Sequence, residues 1–222
     1  MKWLRTARAR RLELTERDQD LAALAARIRS CRICRDAPRH APPLAFEPNP
    51  VCVASSKARI LISGQAPGIR VHDTGIPFND PSGDRLRDWL GVDRSIFYDS
   101  NNFAIVPMGF CFPGYDALGS DLPPRRECRE TWHDALFALM PQVELILAIG
   151  QYAQAYHLGS RRLSGMTRTV SNWREYFYQG DRPAILPLPH PSWRNSGWLK
   201  KNPWFAQDVL PVLRQTVQNL IS

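Results

Sequence analysis

The sequence predicts an α/β fold, a three-layer α/β/α sandwich around a mostly parallel four-stranded sheet. Four short apolar runs, at residues 59–63, 103–108, 143–149 and 184–188, have the length and composition of buried strands. Helix-like segments separate these runs, and strands that alternate with helices form parallel sheets covered on both faces. The chain has 222 residues, of which 44% are hydrophobic, so we expect a single domain, residues 1–222, with a sizeable core.

The helices follow from apolar spacing. Residues 1–30 are predicted to form a basic arm that leads into a helix, because Leu21, Leu24, Ala25 and Ile28 recur at helical spacing. This apolar face is expected to pack on the domain. The other helices are predicted at residues 83–90, 129–139, 151–158 and 204–220.

The composition of the chain limits which partners and which cell compartment can be expected. The net charge of +8 favours a polyanionic partner such as DNA, although charge alone is a weak indicator. No run of about 18 apolar residues is present, which excludes a membrane span. The N-terminus lacks the apolar core of a secretory signal, so we expect a cytoplasmic protein.

A glycine-rich elbow follows the first predicted strand. It comprises Gly64, Gln65, Ala66, Pro67 and Gly68, and a polar loop with Phe78 comes after it. In α/β proteins ligands bind at the carboxyl edge of the sheet, where such loops converge. Glycines at both ends of the elbow allow a tight turn and a close approach to a ligand. The sequence therefore predicts the functional site here.

Four cysteines form a candidate metal site. Cys31 and Cys34 make a C-x-x-C pair, and Cys111 and Cys128 make a second, wider pair. Four thiolates can hold zinc or an iron–sulfur cluster, and spacing alone leaves both open. Cys52 matches no ligand position and is interpreted as a small apolar residue. An odd number of cysteines argues against a disulfide framework.

Together these motifs resemble the uracil-DNA glycosylase superfamily, closest to its iron–sulfur branch, of which this chain would be a divergent member. The elbow is similar to the GEAPG of that branch, and Asp73 lies near its acidic loop position. Leu188-Pro-His190-Pro-Ser192 is similar to the closing H-P-S or H-P-A motif. The resemblance covers the chain from Cys31 onward. It implies a DNA glycosylase with a [4Fe–4S] cluster, rather than zinc, on the four cysteines.

The resemblance also implies roles for single residues. His190 would stabilise negative charge on the leaving base, and Phe78 would stack on the base. The elbow would hold the base. DNA contacts are expected from basic and aromatic residues after the closing motif, namely Ser192, Trp193, Arg194, Lys200 and Lys201.

Two family residues are replaced. Gln65 stands where the iron–sulfur branch has Glu, and Pro107 stands where the superfamily tends to have Asn. We expect Asp80, and after it Asp73, to supply the missing acid, although either carboxylate could equally cap a helix. The leading hypothesis is a monomeric glycosylase that acts on DNA and uses no nucleotide cofactor. The alternative is an iron–sulfur DNA-binding protein that recognises lesions or single strands without cleaving.

Overall fold

The computed structural model describes residues 2–180 and 182–222, with side chains from residue 16 onward. Its centre is a sheet of four parallel strands in the order β2-β1-β3-β4. The strands are β1 (Ile60–Ser63), β2 (Phe103–Ile105), β3 (Leu145–Ile149) and β4 (Ala184–Leu188). Each predicted apolar run contains one strand, so the predicted sheet is confirmed. All three strand pairs are parallel, whereas the sequence predicted a mostly parallel sheet.

The helices are more numerous than predicted. They are α1 (Lys2–Arg29), α2 (Ile33–Asp36), α3 (Ile69–Thr74), α4 (Pro81–Leu90), α5 (Arg94–Tyr98), α6 (Arg126–Cys128), α7 (Asp134–Ala138), α8 (Gly150–Leu158), α9 (Met166–Ser171), α10 (Trp173–Phe177), α11 (Ser196–Lys201) and α12 (Leu210–Ile221). A π-helical turn, Arg129–His133, joins α6 to α7, so the predicted single helix at 129–139 is wrong in detail. Helices of five or six residues are too short to show apolar periodicity, and α3, α5, α9, α10 and α11 were therefore missed.

Side chains of the sheet alternate between two apolar layers. Ile60 and Ile62 of β1 pack in one cluster with residues of α4 and α12. Leu61, between them, packs in the other cluster with residues of α1 and α8. Successive strand residues point to opposite faces, so the sheet is covered on both sides. The three-layer sandwich is confirmed.

The N-terminal helix packs on the second of these layers. Leu21, Leu24 and Ile28 are buried there with Trp132, and the Arg27 guanidinium lies 5.5 Å from the centre of the Trp132 ring. The side chains of residues 1–15, which carry the predicted basic arm, lie outside the described part. Within that described part, none of the helices has both the length and the hydropathy to cross a bilayer.

A half-buried histidine makes the stability of this layer depend on pH. His157 lies against the rings of Phe137 and Tyr156, and burial lowers its pKa from 6.5 to about 3. The unfolded chain therefore takes up this proton at a higher pH than the folded chain. The stability that neutral His157 contributes is present above its unfolded pKa of 6.5 and is lost as the pH falls below that value.

We expect His157→Phe to flatten this dependence, because the replacement keeps an aromatic ring and removes the titrating group. Between about pH 7.5 and about pH 5, the free energy of unfolding of the wild type should fall by about 2 kcal/mol more than that of the variant. Urea denaturation at the two pH values measures the difference. Parallel losses in both proteins would contradict the prediction.

Candidate active site

The loops at the carboxyl edge of the sheet surround a cavity of about 660 Å³. Parallel strands bring their carboxyl ends to one edge, so loops distant in sequence meet there. The amides of Met108 and Gly109, after β2, donate to the carbonyls of Gly64 and Gln65, both at 2.9 Å. Most of the predicted site residues line this cavity: Gly64, Gln65, Ala66, Pro67, Gly68, Phe78, Asp80, His190, Ser192, Trp193 and Arg194.

Phe78 has a strained backbone, with φ of 54°. A bulky residue in the left-handed region costs about 1–2 kcal/mol, so its surroundings must hold it there. Nη1 of Arg87 donates to the Phe78 carbonyl at 3.4 Å, and Gly83 lets that carbonyl approach α4 closely. The ring meets Phe97 edge to face, with centroids 6.1 Å apart. The ring therefore has a fixed place in the wall of the cavity.

The two predicted acids have different positions. Asp80 caps α4, since its Oδ1 accepts a hydrogen bond from the Gly83 amide at 2.9 Å, and it also lines the cavity. Asp73 is exposed on α3 and is not among the described residues that line the cavity. The capping interpretation of Asp80 is thus observed, and Asp73 lies apart from the site.

His190 is held as a neutral imidazole. Its Nδ1 lies 3.2 Å from the Ser192 amide, which can only donate, so the ring proton belongs on Nε2. Burial lowers the pKa of His190, and the nearby Asp80 opposes this by raising it. The loop is fixed by Arg85 of α4, whose Nη1 donates to the Ser192 carbonyl at 2.9 Å, and by Asn195, whose Nδ2 donates to the His190 carbonyl at 2.8 Å. The site therefore offers one hydrogen-bond donor on a positioned ring.

The rim of the cavity is aromatic and basic. Trp193 is 71% exposed, and the Arg194 guanidinium lies 5.9 Å from its ring centre. Lys200 and Lys201 are exposed on α11, and neither is among the described cavity-lining residues. The predicted DNA-contacting residues are thus divided between the cavity mouth and a neighbouring helix.

Part of the cavity wall was not predicted from the sequence. Tyr115 and Asp121 lie on the loop between the third and fourth cysteines and line the cavity, as does Pro107, already named as the position of the replaced family Asn. Partial desolvation raises the pKa of Asp121, whereas Arg194 acts to lower it. No motif marks this loop. Its position between two candidate ligands was the one available signal that it returns to the sheet edge.

The four cysteines of the two predicted pairs line a second, small cavity. Its other walls are apolar: Leu44, Pro48, Pro50 and Phe110. Cys34 and Cys128 share a hydrogen bond that lowers the pKa of Cys34, and the Phe110 amide donates to Cys128 Sγ at 3.4 Å. Burial raises the pKa of Cys111 to about 12. Within the described residues, no three His, Cys, Asp or Glu side chains are arranged around one ion position.

This donor set fits a sulfur-ligated group. The four thiols line one small cavity, and the Phe110 amide donates to one of the sulfurs, as amides do around iron–sulfur clusters. Cys52 is not part of the quartet. It packs against the layer that contains α1, and burial raises its pKa to about 11.

Comparison with known families decides the relationship. The family model of the Uracil DNA glycosylase superfamily matches residues 52–214. The chain belongs to this superfamily. The match includes the elbow, His190, Cys111 and Cys128, and it begins after Cys31 and Cys34. Members of the uracil DNA glycosylase superfamily are typically DNA glycosylases, hydrolases that act on DNA. The predicted family is therefore confirmed, and its iron–sulfur branch remains a prediction.

Proposed function

We propose that this protein hydrolyses the N-glycosidic bond of uracil or another damaged base in DNA. The observation that carries the proposal is the neutral His190 imidazole, which lines the same cavity as Phe78 and the elbow. Superfamily membership supports it, because glycosylase activity is typical of these proteins.

Each part of the cavity suits a step of base removal. The target bond is inaccessible in stacked DNA, so the base must be extruded into a pocket. Phe78 offers a ring face for stacking, and the glycines of the elbow allow the backbone to approach the base. As the bond breaks, negative charge develops on the base, and Nε2–H of His190 is placed to donate a hydrogen bond to it.

The identity of the base depends on two replacements. Pro107 lines the cavity without any side-chain donor or acceptor, so it cannot read a base edge as an amide would. Gln65 keeps an amide, but its Nε2 donates to the Leu122 carbonyl at 3.3 Å. Recognition of uracil by the family pattern is therefore weakened, and we propose a broader class of damaged bases.

The rim is proposed to hold the DNA strand. Trp193 is exposed at the mouth of the cavity, where an aromatic ring can stack on bases or fill the emptied site. Arg194 at the cavity and Lys200 and Lys201 on α11 add positive charge, and cationic side chains supply most of the affinity for phosphates.

We further propose that Cys31, Cys34, Cys111 and Cys128 hold a [4Fe–4S] cluster. The apolar walls and the hydrogen bond from the Phe110 amide to Cys128 Sγ support this group. When bound, the cluster would supply a structural cross-link. It would join the chain after α1 to the segment that carries Tyr115 and Asp121. The cluster would therefore stabilise one wall of the active-site cavity.

Activity is tested with anaerobically purified protein and end-labelled oligonucleotides. They carry uracil, hypoxanthine, xanthine or no lesion, each as single and double strands, and alkali then cuts abasic sites. We expect cleavage by the wild type and a loss of about 10²-fold or more in His190→Ala, because the leaving base loses its donor. His157→Phe, which changes a histidine outside the cavity, should cleave like the wild type.

The same assay distinguishes a glycosylase from the alternative, a DNA-binding protein that does not cleave. Binding to the oligonucleotides without cleavage of any lesion would favour a protein that recognises damaged or single-stranded DNA and does not cut it. Equal cleavage by His190→Ala and the wild type would remove His190 from the chemistry.

A further inference from the structure

We infer that Asp121 is the catalytic carboxylate that activates the attacking water in the glycosylase reaction proposed above. This inference rests on that proposed function, because it assigns a residue to the same cavity. It replaces Asp80 and Asp73, the two acids that the sequence favoured.

The position of Asp121 is the first argument. Its Oδ2 lies 3.9 Å from the point that a Cβ on Gly68 would occupy, so the carboxylate stands directly over the elbow. Its neighbour Leu122 accepts a hydrogen bond from the Gln65 side chain through its carbonyl. Asp121 therefore directly precedes the residue that contacts Gln65. In the iron–sulfur branch the position of Gln65 is occupied by Glu.

The loop that carries Asp121 is well fixed. Asp116 accepts hydrogen bonds from the amides of Leu118 and Ser120, both at 2.9 Å. Tyr115 and Asp121 form an antiparallel bridge, and the Leu122 amide donates to the Gly114 carbonyl at 2.9 Å. A carboxylate on such a turn keeps a defined place relative to the elbow.

Elimination is the second argument. Of the carboxylates in the described residues, Asp80 and Asp121 line this cavity. Asp80 uses Oδ1 to cap α4. By contrast, no described residue donates a hydrogen bond to the Asp121 side chain or forms an ion pair with it. Its oxygens are therefore available to a water molecule.

The charges around Asp121 favour its role as a general base. Asp121 is exposed to solvent, but partial desolvation at the cavity and the neighbouring Asp80 raise its pKa, and Arg194 lowers it. A carboxylate whose pKa is raised accepts a proton more readily than an ordinary surface aspartate. The Asp121 carboxylate would also place negative charge near the sugar, where positive charge develops as the base departs.

The proposed reaction adds one water molecule across the bond between the sugar and the base. The C1′–N bond breaks and its electron pair goes to the base, which accepts a hydrogen bond from Nε2–H of His190. The oxygen of water bonds to C1′, and one of its protons passes to the Asp121 carboxylate. That proton then passes to the base or to solvent, which restores the carboxylate. The products are the free base and an abasic sugar.

The inference is tested with Asp121→Asn, Asp80→Asn and the control Asp208→Asn. Asparagine caps a helix as well as aspartate, so Asp80→Asn preserves α4, and Asp208 is exposed outside the cavity. Cleavage of the best lesion from the panel is measured across pH. We expect Asp121→Asn to lose about 10²-fold or more in kcat and to lose the acidic limb of the pH profile. Asp80→Asn should keep the acidic limb and lose less in kcat than Asp121→Asn, because it does not remove the proton acceptor, and the control Asp208→Asn should lose less than about tenfold.

A binding measurement separates chemistry from folding. Two oligonucleotides are compared that differ only at the target nucleotide. One carries a cationic pyrrolidine ring in place of the sugar, and the other carries a neutral tetrahydrofuran ring. Wild type should prefer the cation, and Asp121→Asn should lose that preference while it keeps its affinity for the neutral analogue. A retained preference, or cleavage within about threefold of the wild type, would overturn the role of Asp121 alone. A wild type that cleaves nothing in the panel would instead remove the proposed function, and this role with it.

Discussion

Alanine at Gly83 is expected to destabilise the protein by at least about 2 kcal/mol and to abolish base removal. Its Cβ would overlap the carbonyl oxygen of Phe78 and would lie 2.9 Å from the Phe78 Cβ. The obstructing atoms are mostly backbone, which cannot rotate away as a flexible side chain can. The substitution must therefore displace the strained Phe78 from the cavity wall or push α4 from its place.

A matched control exists on another helix. Gly197 lies in α11, and a Cβ added there would meet no atom within 4 Å. Gly197→Ala should therefore be neutral or slightly stabilising, by up to about 1 kcal/mol, because alanine favours the helix more than glycine does. Denaturant unfolding compares the two variants. Equal stabilities would contradict the close packing of Phe78 on α4.

If the proposed [4Fe–4S] cluster is present, serine at Cys34 is expected to prevent its assembly. Cys34 is buried beside Cys111, shares a hydrogen bond with Cys128, and has the lowered pKa that favours a ligating thiolate. Iron analysis and visible absorbance of anaerobically purified protein should fall to background. The thermal midpoint should also fall, because the link between the N-terminal segment and the Cys111–Cys128 segment is lost.

Cys52→Ala is the control for this experiment. Cys52 packs in an apolar layer and does not line the quartet's cavity, so iron content should equal that of the wild type. Stoichiometric zinc in place of iron in the wild type would show that the four thiols hold a different metal. Unchanged iron in Cys34→Ser would remove Cys34 from the ligand set.

Much of this protein could be predicted from local sequence. Apolar runs identified all four strands, because a strand buried on both faces reads as a continuous hydrophobic segment. The elbow was placed at the carboxyl edge of the sheet because it directly follows a strand, and His190 was assigned to the site by its resemblance to the closing motif. The two cysteine pairs could be recognised from their spacing in the sequence alone.

Other features depended on contacts between segments distant in sequence. The role of Asp80 as a helix cap was one of two open interpretations until its contact with Gly83 was known. Asp73, assigned to the site by resemblance, lies outside the cavity because α3 turns it toward solvent. Short helices such as α11 were invisible to periodicity because they span fewer than two turns.

The sequence by itself determined the layered parallel sheet, the family and the sheet edge at which the candidate site lies, because these depend on hydrophobic runs and on the motifs that follow them. Tertiary structure alone brought a second carboxylate, Asp121, into the cavity beside Asp80. Asp121 reaches the elbow because a loop folds back across the sheet edge and hydrogen-bonds to Gln65 through Leu122. Such a contact joins residues 57 positions apart, and no local pattern encodes it.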